Sequence, residues 1–134
     1  HTRIVSVRED DRWLVEDEIL PLRKPWEKKP LTFRLHWLLP DWKWEMEDSG
    51  PEVLLRLESP HGWVELAIRH SPPINPVTCS LVRAGELLAG SGAVEANRGW
   101  TSPVYGIKVP ALSLAVEIAS ANEVQYTTEF IFPK

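Results

Sequence analysis

The chain has little to cross-link it and little to anchor it. Among its 134 residues stands a single cysteine, Cys79. No disulfide can therefore close within the chain, and no cluster of thiolates can hold a metal. Apolar runs approaching the roughly 18 residues of a membrane-spanning helix are missing. The most apolar late stretch, from Ala111 to Ala119, is broken by Ser113 and Glu117. A basic excess is missing too, with 15 lysines and arginines against 19 aspartates and glutamates. A protein that grips nucleic acid by its phosphates needs a basic stripe, so that class is set aside. Neither a G-x-S-x-G elbow nor a phosphate-cradling glycine loop occurs. The four histidines, His1, His36, His61 and His70, are spread along the chain without zinc-ligand spacing. The reading is accordingly no catalytic residue, no metal and no cofactor.

What is present is a strong period of two. In Leu31-Thr32-Phe33-Arg34-Leu35-His36-Trp37-Leu38-Leu39 every odd position is apolar, and Thr32, Arg34 and His36 alternate with them. Strand side chains point to opposite faces in turn, so this pattern predicts a strand with one buried side. The pattern returns in Val53/Leu55/Leu57, Val64/Leu66/Ile68, Leu112/Leu114/Val116/Ile118 and Val124/Tyr126/Thr128/Phe130/Phe132. Trp42, Trp44 and Met46 alternate in the same way with Lys43, Glu45 and Glu47. Turn residues separate the runs at Asp10-Asp11, Asp48 to Pro51, Ser59 to Gly62, Asn97 to Gly99 and Ala121-Asn122. Short strands joined by such turns imply an all-β fold, an antiparallel two-layer β-sandwich, with residues 1–134 forming one domain. The stretch from Leu81 to Ala89 is expected as loop or short strand, because Gly85 in its middle weakens a helix. Leu22 to Pro30 and Ser71 to Pro76 are expected as surface loops.

The candidate chemistry is sparse. Glu16, Asp17 and Glu18 form an acidic run in which only Glu16 and Glu18 share a strand face, as expected of a solvated edge. Seven tryptophans suit either a wide core or a surface that stacks on sugar rings. Trp63 falls on the strand face opposite Val64, Leu66 and Ile68. Trp26 lies in a loop with Arg23, Lys24, Lys28 and Lys29. Trp26, Trp63, Arg23 and Lys24 are therefore the candidate substrate-binding residues, with an acidic polysaccharide as candidate ligand. Trp13, Trp37, Trp42, Trp44 and Trp100 are expected in the core.

Three segments together resemble the carboxyl-terminal sandwich of the heparinase II/III-like polysaccharide lyases. They are His1 to Val5 followed by Arg12-Trp13-Leu14-Val15-Glu16-Asp17, then Phe33 to Asp41, then Gly99-Trp100-Thr101-Ser102-Pro103-Val104-Tyr105-Gly106-Ile107-Lys108-Val109-Pro110. The resemblance implies a parent with an amino-terminal α/α toroid that performs β-elimination on a uronate polysaccharide. The proton-transfer groups would come from that toroid and from an earlier strand. None of the four histidines stands in that motif, and Tyr105 and Tyr126 are not assigned as acids. The chain is then expected to be a piece of a larger lyase-like protein, inactive alone, partnered by the toroid and periplasmic or secreted. A surface built to lie against such a partner should leave an apolar patch. A free-standing carbohydrate-binding module using Trp26 and Trp63, and an immunoglobulin-like interaction domain, remain the alternatives.

Overall fold

The computed structural model describes residues 1–22, 24, 26–73 and 77–134. Among them lie twelve strands and no helix: β1 (Thr2–Arg8), β2 (Arg12–Ile19), β3 (Leu31–Leu39), β4 (Trp44–Asp48), β5 (Glu52–Ser59), β6 (Gly62–Ser71), β7 (Val77–Arg83), β8 (Glu86–Gly90), β9 (Trp100–Thr101), β10 (Val109–Pro110), β11 (Leu112–Ser120) and β12 (Val124–Ile131). A six-stranded sheet runs β1-β2-β12-β6-β5-β4, a four-stranded sheet runs β3-β11-β7-β8, and β9 pairs with β10. Every pairing is antiparallel. The expected sandwich is present.

The alternating runs deliver their apolar positions to the space between the layers. Leu55, Leu57, Leu66 and Ile68 of the large sheet meet Leu35, Leu81, Leu114 and Ile118 of the small one, and all are buried. Burial of this kind stabilises by about 1.5–3 kcal/mol per large apolar side chain. The two layers are also pinned by a hydrogen bond. The buried Tyr126 hydroxyl of β12 donates across the core toward the carbonyls of Phe33 and Val116, at 2.9 and 3.2 Å. Burial raises its phenol pKa above the ordinary value. Burial likewise pushes the Cys79 thiol up to about 12, so the lone cysteine is an inert core side chain.

The stretch from Leu81 to Ala89 is a hairpin: β7 ends at Arg83, Ala84 and Gly85 turn with φ of 51° and 80°, and β8 follows. From Leu22 to Pro30 the described residues carry no strand. Ser71 closes β6, and Ile74 to Pro76 lie outside the described residues.

Two tryptophan expectations need correction. Trp37, Trp42 and Trp44 do pack against the core, but Trp13 is 46% exposed. It occupies the inner face of β2 near β1, where the four-stranded sheet no longer covers the six-stranded one. Trp100 is outside the core as well. It lies on the outer side of the small sheet, its indole donating to the Ala96 carbonyl at 3.1 Å beneath the Lys108 ammonium, which is 4.1 Å from the ring centroid.

Candidate binding site

The residues proposed from sequence do not come together. Trp26 is 73% exposed, in the loop that leaves β2 beyond Ile19, with Lys24 Nζ 5.6 Å from its ring centroid. Arg23 lies outside the described residues. Trp63 is the second residue of β6, at the other end of the same sheet, opposite Glu58. Its ring faces outward, as the alternation predicts, and is flanked by Arg56 at 5.0 Å and Lys43 at 5.7 Å. Each tryptophan therefore carries its own cation, and no single ligand-sized surface joins the two.

A denser polar arrangement lies astride β3. The strand sends Phe33, Leu35 and Leu39 inward, so Arg34, His36 and Leu38 must project from the outer face of the small sheet. There β11 presents Ser113 and Glu117, and β7 presents Ser80. The loop after β8 folds back over this face and delivers Arg98, which is 8% exposed. Its guanidinium donates to Ser113 Oγ at 3.1 Å, Ser80 Oγ at 3.0 Å and the Ser113 carbonyl at 3.1 Å. No carboxylate bonds it among the described residues. Desolvation, followed by repulsion from Arg34, lowers its pKa below the ordinary arginine value.

Backbone bonds hold the loop in place: Ala84 N–H to the Gly99 carbonyl at 2.8 Å and Gly85 N–H to the Arg98 carbonyl at 2.8 Å. Gly99 is needed there. Its φ is 74°, and a Cβ would come within 2.7 Å of Ala84 N and Arg83 Cα.

His36 completes the cluster, its Nε2 lying 2.7 Å from Ser113 Oγ. Because Arg98 donates to that hydroxyl, its own proton is free to point at a neutral imidazole. Desolvation first, then Arg98 and Arg34, lower the His36 pKa and favour that neutral form. The spacing is that of a nucleophile and its base, but Ser113 has 0% exposure and sits under Arg98. A substrate cannot approach its oxygen, so the contact fixes the loop rather than arming a nucleophile. In front of it a cleft of about 330 Å³ opens between Arg34, Leu38, Asn97 and Trp100. Arg34 is steered by Glu117, accepting at 2.8 Å, with Glu95 3.7 Å away.

A second lobe of about 370 Å³ lies on the other flank of β3, reached by Arg34 and His36 from one side and by His1 and Arg3 from the other. Its floor is Asp17, 1% exposed. Arg3 grips the Asp17 carboxylate through both oxygens, at 2.7 and 3.0 Å, and His1 Nε2 is 2.7 Å from it. The Arg3 guanidinium also lies 5.0 Å above the Trp37 ring. The hydrogen bond to Asp17 raises the Arg3 pKa. Glu16 and Glu18 share the outer face, as expected, and Asp17 lies on the opposite face, where alternation turns it inward onto a cation.

The two lobes draw their residues from three stretches of sequence, 1–19, 34–38 and 95–100. Sequence reasoning passed over Arg3, Arg34 and Arg98. A signal existed for Arg34 and His36, which are the polar positions of an otherwise apolar strand. None existed for Arg98, whose burial depends on serines 15 and 18 positions away in sequence. The chain matches no family model, no curated protein and no solved structure.

Proposed function

We propose that this chain is a non-catalytic β-sandwich module of a heparinase II/III-like polysaccharide lyase, which braces the α/α toroid and walls one side of the polysaccharide cleft. The observation that supports this reading is a convergence. The segments that resemble the family, 1–17, 33–41 and 99–110, are distant in sequence, yet all three contribute side chains to the paired lobes astride β3. Those lobes expose Arg3 and Arg34, guanidinium groups suited to the carboxylates of an acidic sugar chain. In the segment between β9 and β10, Val104, Tyr105 and Ile107 are 56%, 103% and 50% exposed and offer an apolar handle to a neighbouring domain. The inaccessible Ser113 fits a wall better than a reaction centre.

Two measurements test the reading. Incubation of the chain with uronate polysaccharides should release no unsaturated product absorbing in the ultraviolet, and substantial turnover defeats the proposal. In affinity electrophoresis through gels containing acidic polysaccharide, migration should be retarded, and Arg34→Ala should relieve the retardation. A second reading draws on the exposed Trp26 with Lys24 beside it: a carbohydrate-binding surface at the loop. In that case Trp26→Ala, not Arg34→Ala, abolishes the retardation.

A further inference from the structure

One long sheet edge buries none of its side chains. No residue of β1 is buried, and Ile4 is 55%, Val5 52% and Val7 68% exposed. Its register with β2 is unbroken from Thr2↔Glu18 to Arg8↔Arg12, so no bulge twists the edge away. It holds no proline and no lysine, and its charges are confined to Arg3, held by Asp17, and Arg8 at its end. The opposite edge of the same sheet, β4, has five residues of which Glu45, Glu47 and Asp48 are acidic. The β8 edge also has five residues and a register irregularity in its pairing with β7. β3, the remaining edge, is long and regular as well, but it buries Phe33, Leu35 and Leu39, whereas β1 leaves Ile4, Val5 and Val7 exposed. Among the described residues no hydrogen bond reaches its outer side.

We propose that β1 pairs antiparallel with β1 of a second copy of this chain, centred on Val5 opposite Val5. The strand's own sequence favours this occupant. In the one two-fold register that pairs all of Thr2–Arg8, Arg8 faces Thr2 of the second copy, Arg3 faces Val7 and Ile4 faces Ser6. No like charges oppose each other, and a shift by two in either direction leaves strand ends unpaired. The wider charge pattern agrees. On the outer face of the β1–β2 ribbon, Arg8 stands opposite Arg12 at one end, while Glu16 and Glu18 lie at the other. Neither Arg8, Glu16 nor Glu18 has an ion-pair partner among the described residues. Glu18 instead hydrogen-bonds Glu123, which raises the Glu123 pKa. A two-fold rotation lays each Arg8 across Thr2 toward Glu18 of the other copy, and each Glu9 opposite His1. The inference does not rest on the lyase reading, although His1 and Arg3 at one end of the pairing also line the second lobe beside β3.

Cysteine cross-linking of the full chain reads the register directly. Directly opposed residues of an antiparallel pair have Cα atoms about 4.5–5.5 Å apart, within disulfide reach. The two copies of residue 7 would be separated by four strand steps, about 13 Å. Val5→Cys should therefore form a covalent dimer under mild oxidation, and Val7→Cys should form at least about tenfold less, a distinction set by the reach of the bond. Cys79, 2% exposed, stays silent. Sedimentation velocity should show a concentration-dependent dimer. Arg8→Glu should weaken it by about two- to tenfold, as expected for exposed ion pairs, and adding Glu18→Arg should restore it. A chain that stays monomeric at hundreds of micromolar overturns the proposal. So does cross-linking of Val7→Cys equal to that of Val5→Cys.

Discussion

β11 and β1 both carry several apolar side chains and meet opposite fates. β11 has sheet neighbours on both sides and is covered on both faces: inward by the large sheet, outward by Arg98 and its loop. Leu112, Ser113, Leu114 and Ala115 all have 0% exposure. β1 has a neighbour on one side only, and even its inward-facing Val5 and Val7 remain in solvent. The apolar pattern states which face a strand would bury. Whether that face is buried depends on what lies over it.

The largest contrast comes from truncating one side chain in each strand. Leu114→Ala should lower unfolding stability by about 2–5 kcal/mol, because the cavity cannot collapse between two sheets. Val7→Ala should change it by less than about 0.5 kcal/mol, as for an ordinary surface site. Urea midpoints for the two variants measure this, and equal costs would mean the β1 face is covered after all. Next in size is the outer cover of β11. Arg98→Ala leaves Ser80 and Ser113 groups unpaired and should cost about 1–3 kcal/mol. The Ala84 and Gly85 amides, which bond to the returning loop, should then exchange hydrogen faster. Unchanged exchange would show that the backbone bonds alone hold the loop.

The smallest effect is a pH dependence. His36 has a folded pKa below the unfolded value of 6.5, chiefly through desolvation. As pH falls through 6.5 the unfolded state takes up a proton that the folded state resists, so stability drops. The contribution is fully present above 6.5 and declines below it until the folded pKa is reached. Thermal midpoints between pH 5 and 8 should slope accordingly, and His36→Gln should flatten that slope. An unaltered slope would assign the dependence to other groups.

Much of the fold was legible because alternation is a local signal: Leu55, Leu66 and Leu114 each announce an inward face within a few residues. The Ala84–Gly85 turn was partly legible, since Gly85 spoke against a helix, though the pairing of β7 with β8 did not emerge. The site was legible only in fragments. Arg34 and His36 stood out as polar positions in an apolar strand, whereas Trp13 and Trp100 read as core residues because their bulk suggested it. Parity set Asp17 on the opposite face from Glu16 and Glu18, but nothing local showed that Arg3 would meet it there.

Sequence by itself determined the strands, their turns, the identity of the inward faces and the absence of an internal disulfide, since each follows from spacing or count. Tertiary structure alone decided which faces received a cover. It buried Arg98 under its own loop, set Asp17 beneath Arg3, parted Trp26 from Trp63 and left β1 bare. The reason is physical: side-chain direction is settled by neighbouring backbone, but burial is settled by whatever distant segment packs above.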